Sequence, residues 1–288
     1  MLIVIKFLFS SFLLIVFLSI NLSVKLSSSS LTQLVNHSSF VRQSTPLING
    51  QIVGGSRATI NHFSYLVSLQ KSTPNGFKHY CAGSLIRSNI VLTAAHCVSR
   101  IKANNLILVT LSSKSTKSYL LKHFHRVSKI VIHFNYNENG HHNDLALIFL
   151  HNHLPLVKLG LTTVRLPYQS INYVYIPSRL TVIGWGVNYG AGYLRKANLN
   201  RHDDYECKFH HGNKYRPGMI CAGGDGIASC FGDSGGPAIL RKGTKSGKDI
   251  LFGIVSWGSE ICGNKPTVFT DIIYYLRWIK LSIAREIR

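Results

Sequence analysis

The chain has 288 residues, enough for one large domain or two small ones around a sizeable core. Its 32 Lys and Arg outnumber 11 Asp and Glu, and the net charge of +21 favours anionic glycans, mucins or acidic surfaces as partners. The basic residues are scattered, and the sequence contains neither a nucleic-acid-binding module nor a CxxC pair, which argues against a dedicated nucleic-acid reader and a cysteine-held zinc site.

Residues 1–23 are almost wholly apolar, with Lys6 near the start, and read as a secretory signal peptide. An uncleaved membrane anchor is the competing reading of the same run. Residues 24–51 are rich in Ser, Asn and Gln and read as a propeptide, with a glycosylation sequon at Asn36-His37-Ser38. After Ile52, short apolar or alternating runs recur between turn signals. They are Tyr65–Leu69, Ser84–Ile86, Ile90–Leu92, Leu106–Thr110, Lys129–Ile132 and Leu145–Leu150, then Leu180–Ile183, Pro237–Leu240, Leu251–Ser256 and Thr267–Thr270. Many short β-branched strands predict an all-β barrel or sandwich. The tail, Ile272–Ile283, has the apolar spacing of a terminal amphipathic helix.

One stretch carries chemistry: Cys230-Phe231-Gly232-Asp233-Ser234-Gly235-Gly236-Pro237. A serine between glycines suggests a nucleophile on a tight turn that a substrate can approach closely. The N–H groups of Gly232 and Ser234 can converge where a carbonyl oxygen turns negative during acyl transfer. A serine hydroxyl is a poor nucleophile alone, so a base is required. Thr93-Ala94-Ala95-His96-Cys97 supplies a histidine, and Asn143-Asp144-Leu145-Ala146-Leu147 supplies an acid at the head of an apolar run.

With Ile52-Val53-Gly54-Gly55 and Ser256-Trp257-Gly258, these stretches resemble the trypsin/chymotrypsin family of serine endopeptidases. The resemblance covers the chain from Ile52 to its end. It implies two six-stranded antiparallel barrels, about 52–166 and 167–288, with the active site between them. It implies a catalytic His96, Asp144 and Ser234, with Ser256 on the triad acid. It also implies the disulfides Cys81–Cys97, Cys207–Cys221 and Cys230–Cys262, a pairing that spacing alone leaves open. Cleavage after Gln51 would free the Ile52 ammonium to pair with Asp233, and His79 and Ser68 match positions that hold that acid beforehand. No cofactor is expected. No acid precedes Glu138, so no calcium site is expected in the first barrel. The protein is expected as a secreted, membrane-free monomer acting on protein or peptide substrates.

Three departures from the family bear on specificity. Gln51 stands where Arg or Lys is usual, so a trypsin-type activator should not cut there, and the activating protease is unknown. Ala228 stands where trypsin-like members carry the Asp that binds a basic side chain. Thr267 replaces a usual glycine and should make the pocket shallower, while Gly258 leaves one wall open and Ser229 offers a hydroxyl. A buried, unpaired cation is strongly unfavourable. The expected P1 residues, next to the scissile bond on its acyl side, are therefore uncharged and small to medium. His141 and Phe231 match the next subsite and the pocket rim. The rival reading is an inactive homologue acting as a cationic binding protein.

Overall fold

The computed structural model describes residues 52–112, 121–168, 177–186, 193–241 and 248–286. The expected leader 1–23 and propeptide 24–51, including Asn36 and Gln51, lie outside these residues. The first strand, β1 (Ser56–Arg57), is short. It is followed by β2 (Leu66–Thr73), β3 (Gly76–Arg87), β4 (Ile90–Thr93), β5 (Leu106–Ser112), β6 (Leu121–Ile132) and β7 (Ala146–Leu150). A four-residue helical turn, α1 (Leu156–Leu159), leads to β8 (Arg179–Gly184) and β9 (Arg195–Asn200). Then come α2 (Asp204–His211), β10 (Met219–Ala222), β11 (Pro237–Leu240), β12 (Ile250–Trp257), β13 (Thr267–Asp271) and α3 (Ile272–Glu286).

Strands β2 to β7 close a barrel in the order β2-β3-β4-β7-β6-β5, with every pair antiparallel. Closure leaves no free edge for another chain to extend. The four residues of β4 and the five of β7 are all buried, which is why both read as continuous apolar runs rather than alternating ones. The second half is a sheet ordered β1-β9-β8-β11-β12-β13-β10. The end of β9 and the edge strand β10 are brought together by a bridge between Arg201 and Ala222, with Gly223 N–H donating to Asn200 O at 2.9 Å.

Two elements left no apolar run to find. β9 reads Arg-Lys-Ala-Asn-Leu-Asn and buries only Ala197 and Leu199. α2 buries only Cys207. Its start was nevertheless written in the sequence as a capping box: Asp203 accepts from Glu206 N–H, and the Glu206 side chain returns to the Asp203 N–H.

The ends of the described chain cross between the two halves. Ile52 is buried with Leu180, Val182, Leu199 and Phe269 of the second sheet. At the other end, Ile272, Tyr275, Ile279 and Ile283 of α3 join a cluster running from the first barrel through Ile183, Trp185, Ile239 and Ile254. One core thus spans both halves and should melt as one unit. Ile279 is fully buried there. Ile279→Ala is expected to lower stability by about 2–5 kcal/mol, read from the denaturant midpoint, with a single transition kept.

Candidate active site

His96 sits on the helical turn Ala95–Cys97 that ends β4. The disulfide Cys81–Cys97 ties that turn back to β3. The other two bridges are Cys207–Cys221 and Cys230–Cys262, so all three pairings implied by the family resemblance are formed. Asp144 lies just ahead of β7, and its side chain is 0% exposed. Its Oδ1 accepts from the His96 backbone N–H at 2.9 Å, and its Oδ2 from His96 Nδ1 at 2.8 Å. Ser256 Oγ, from β12, donates to Oδ2 at 2.5 Å. This fixes the His96 tautomer: Nδ1 carries the proton and Nε2 faces outward with its lone pair.

The loop before Asp144 is held from the other half as well. Asn143 adopts a left-handed φ of 54°, its side chain donates to Asn135 O, and Tyr275 Oη of α3 donates to Asn143 Oδ1 at 2.9 Å. Thr270 Oγ1 of β13 donates to the Asp144 carbonyl at 2.7 Å. Sequence reasoning missed Asn143, Thr270 and Tyr275 because their roles depend on partners more than a hundred residues away.

Ser234 stands on the turn before β11. Gly232 has φ 88° and Gly235 has φ 76°, values a side chain rarely permits. A Cβ on Gly235 would collide with the Ala82 carbonyl and Thr93 Oγ1, so the turn presses directly on β3 and β4. Ala82 N–H donates to Ser234 O at 2.7 Å. Among the described residues, the N–H groups of Gly232 and Ser234 have no acceptor, and both residues line an open cavity. Ser234 and His96 border the same two cavities. No hydrogen bond joins Ser234 Oγ to the His96 ring, and Nε2 approaches Cys97 Sγ at 3.6 Å. Such contacts tighten only when substrate is bound.

The first cavity, about 330 Å³, is lined by Ser229, Ser256, Trp257, Gly258 and Thr267, with His141 and Phe231 at its sides. Ser229 Oγ donates to Thr267 Oγ1 at 3.2 Å, placing a hydroxyl pair in its wall. Ala228 does not line it: the residue is 1% exposed and pairs with Val53 as a backbone bridge. The expected base of the pocket is therefore buried, and Ser229 and Thr267 line the cavity. The acid Glu260 also borders the cavity, but on its exposed side, together with Lys214. The Lys214 ammonium lies 4.4 Å from the centre of the Trp257 ring.

Asp233 is 1% exposed. Its Oδ1 accepts from Gly186 N–H at 2.9 Å and its Oδ2 from Cys230 N–H at 3.0 Å. Burial pushes its pKa up to about 7, against the pull of those two donors. His79 bonds the residue just before this acid. Its Nε2 donates to Gly232 O at 3.1 Å and its Nδ1 accepts from Ser68 Oγ at 2.8 Å, one residue short of the acid. Burial lowers the His79 pKa to about 4, consistent with that neutral tautomer. Ile52 is 2% exposed, and its carbonyl accepts from Arg195 Nε at 3.2 Å.

His96, His141 and Asp144 each offer a possible ligand atom within 4.8 Å of the others. The Asp144 oxygens are already taken by three donors, so the cluster is a hydrogen-bonded assembly first. Among the described residues, no helix is long and apolar enough to cross a membrane.

Residues 52–279 match the family model described as Trypsin. Trypsin delta and trypsin gamma of Drosophila melanogaster are each 32% identical over 243 residues, covering 81% of this chain and 89% of each relative.

The environment of Asp233 has a measurable sign. An acid at its ordinary value of 3.8 when unfolded and about 7 when folded destabilises the fold progressively as pH rises between those values. Asp233→Asn is expected to carry a pH-independent offset from one lost acceptor. Above it, the stability of the variant relative to wild type should climb by a few kcal/mol from about pH 4 to about pH 7. Urea titrations of the uncleaved protein across that range check this.

Proposed function

The chain belongs to the trypsin family of serine proteases, and on that premise we propose that it is a secreted endopeptidase made as a zymogen. His96, Asp144 and Ser234 are its catalytic residues in this reading. The observation that carries it is the buried Asp144 carboxylate, which holds His96 through Nδ1 while His96 and Ser234 line the same cleft. Ser234 Oγ attacks the scissile carbonyl as His96 Nε2 takes its proton. The carbonyl oxygen, now negative, is met by the N–H groups of Gly232 and Ser234. The C–N bond breaks, the amine leaves with the proton from His96, and water hydrolyses the acyl-enzyme by the same path in reverse.

Activation is cleavage at Gln51-Ile52. The new Ile52 ammonium pairs with Asp233, a buried acid that has only N–H partners before the cut. A charge so poorly neutralised gains much from a cation, which makes the pair an effective switch. The docked Ile52 side chain and the Val53–Ala228 bridge support this reading.

The P1 pocket has hydroxyls and no buried acid at its wall, which favours uncharged small to medium residues. A fluorophosphonate probe is expected to label the form beginning at Ile52, and Ser234→Ala should abolish labelling and lower kcat/KM by several orders of magnitude. Absence of labelling in the wild-type form would favour the cationic binding homologue. A panel of P1-varied fluorogenic peptides should be cut best with Ala, Val or Leu, and dominance of Arg or Lys would overturn the pocket assignment. Thr267→Gly should deepen the pocket and shift preference toward larger apolar residues by about tenfold or more.

A further inference from the structure

The cleft has a second cavity, on the other side of Ser234. It is lined by Lys71, Lys78, His79, Tyr80, the Cys81 and Cys97 pair, and Gly232. It shares only His96, Phe231 and Ser234 with the P1 pocket. An extended peptide with its P1 side chain in the first cavity and its scissile carbonyl at Ser234 must therefore continue into the second.

Two cations face that path. Lys71 on β2 and Lys78 on β3 are exposed and directly opposite each other in the antiparallel register. Like charges at such positions repel, which costs the hairpin stability. Among the described residues neither lysine has an acidic partner, and the whole hairpin precedes the first acid of the sequence, Glu138. Glu138 itself is engaged by Arg100 at 2.9 Å. Lys71 is aligned along the Tyr80 ring, 5.5 Å from its centre, and Tyr80 Oη donates to Cys97 O at 2.8 Å. Lys71 and Tyr80 both line the second cavity. Lys71 also borders the neighbouring cavity with Arg100 and Lys102, so positive charge continues outward from the cleft.

We infer that Lys71 and Lys78 select substrates bearing Asp or Glu in the first two or three residues after the scissile bond. This rests on the endopeptidase reading of the same cleft. A carboxylate there would relieve the Lys71–Lys78 repulsion as well as form new pairs. A basic leaving segment would meet two unscreened cations.

Quenched fluorescent peptides identical through P1, followed by Asp-Glu, Ala-Ala or Lys-Lys, test this with the form beginning at Ile52. The expected order of kcat/KM is acidic over neutral over basic, with about tenfold between the extremes at low salt, the sum of two exposed pairs. The gap should shrink as salt rises to about 0.5 M. The double variant Lys71→Glu, Lys78→Glu should invert the order while its melting transition shows a folded protein. A second arm needs no turnover: Ser234→Ala protein should bind a labelled peptide with acids in its C-terminal half more tightly than one with lysines there, and the lysine reversals should invert that preference. Equal handling of acidic and basic leaving segments, or a preference unchanged by the double variant, overturns the inference. If nothing is cut and no probe labels Ser234, the endopeptidase reading falls, and the binding arm still decides the role of the two lysines.

Discussion

A carboxylate with no exposed surface is the constraint around which the cleft is assembled. Asp144 is fully desolvated, and burying an ion without partners is prohibitive. Its carboxylate accepts three hydrogen bonds from both halves of the molecule: two from His96 of the first barrel, one from Ser256 of the second sheet. Its backbone is bonded by Thr270, and its neighbour Asn143 by Tyr275. The anion can be stable only if barrel, sheet and C-terminal helix are docked together. The shared hydrophobic core supplies the attraction, and the carboxylate supplies the register.

Asp233 is the opposite case. It is equally buried but has two backbone N–H partners and no cation, and its pKa rises accordingly. Two acids in one protein therefore differ by the completeness of their surroundings. One is finished by folding. The other accepts only two bonds, both from backbone N–H groups, beneath a turn whose glycines hold Ser234 and two open N–H groups.

The cleft is also asymmetric in charge. The P1 cavity is walled by hydroxyls, Trp257 and a disulfide, and its ionic residues lie at its exposed side. The cavity beyond Ser234 carries two lysines and, among the described residues that line it, no acid. A net charge of +21 spread over a surface says little by itself, and the cavity beside Ser234 holds two of those charges side by side.

The strands of the first barrel were legible because β4 and β7 are continuous apolar runs, and α3 because its apolar spacing is helical. The triad residue types, the glycine-flanked serine and the even cysteine count were legible as well, since they depend on local chemistry. β9 and α2 were not, because two buried residues in six and one in eight leave no periodic signal. Tertiary structure alone decided that Ala228 is buried and bridged to Val53, that His79 bonds Ser68 and Gly232, and that Tyr275 braces the loop of Asp144. Sequence records which groups can bond; only packing of distant segments determines which acceptor each donor finds once water is gone.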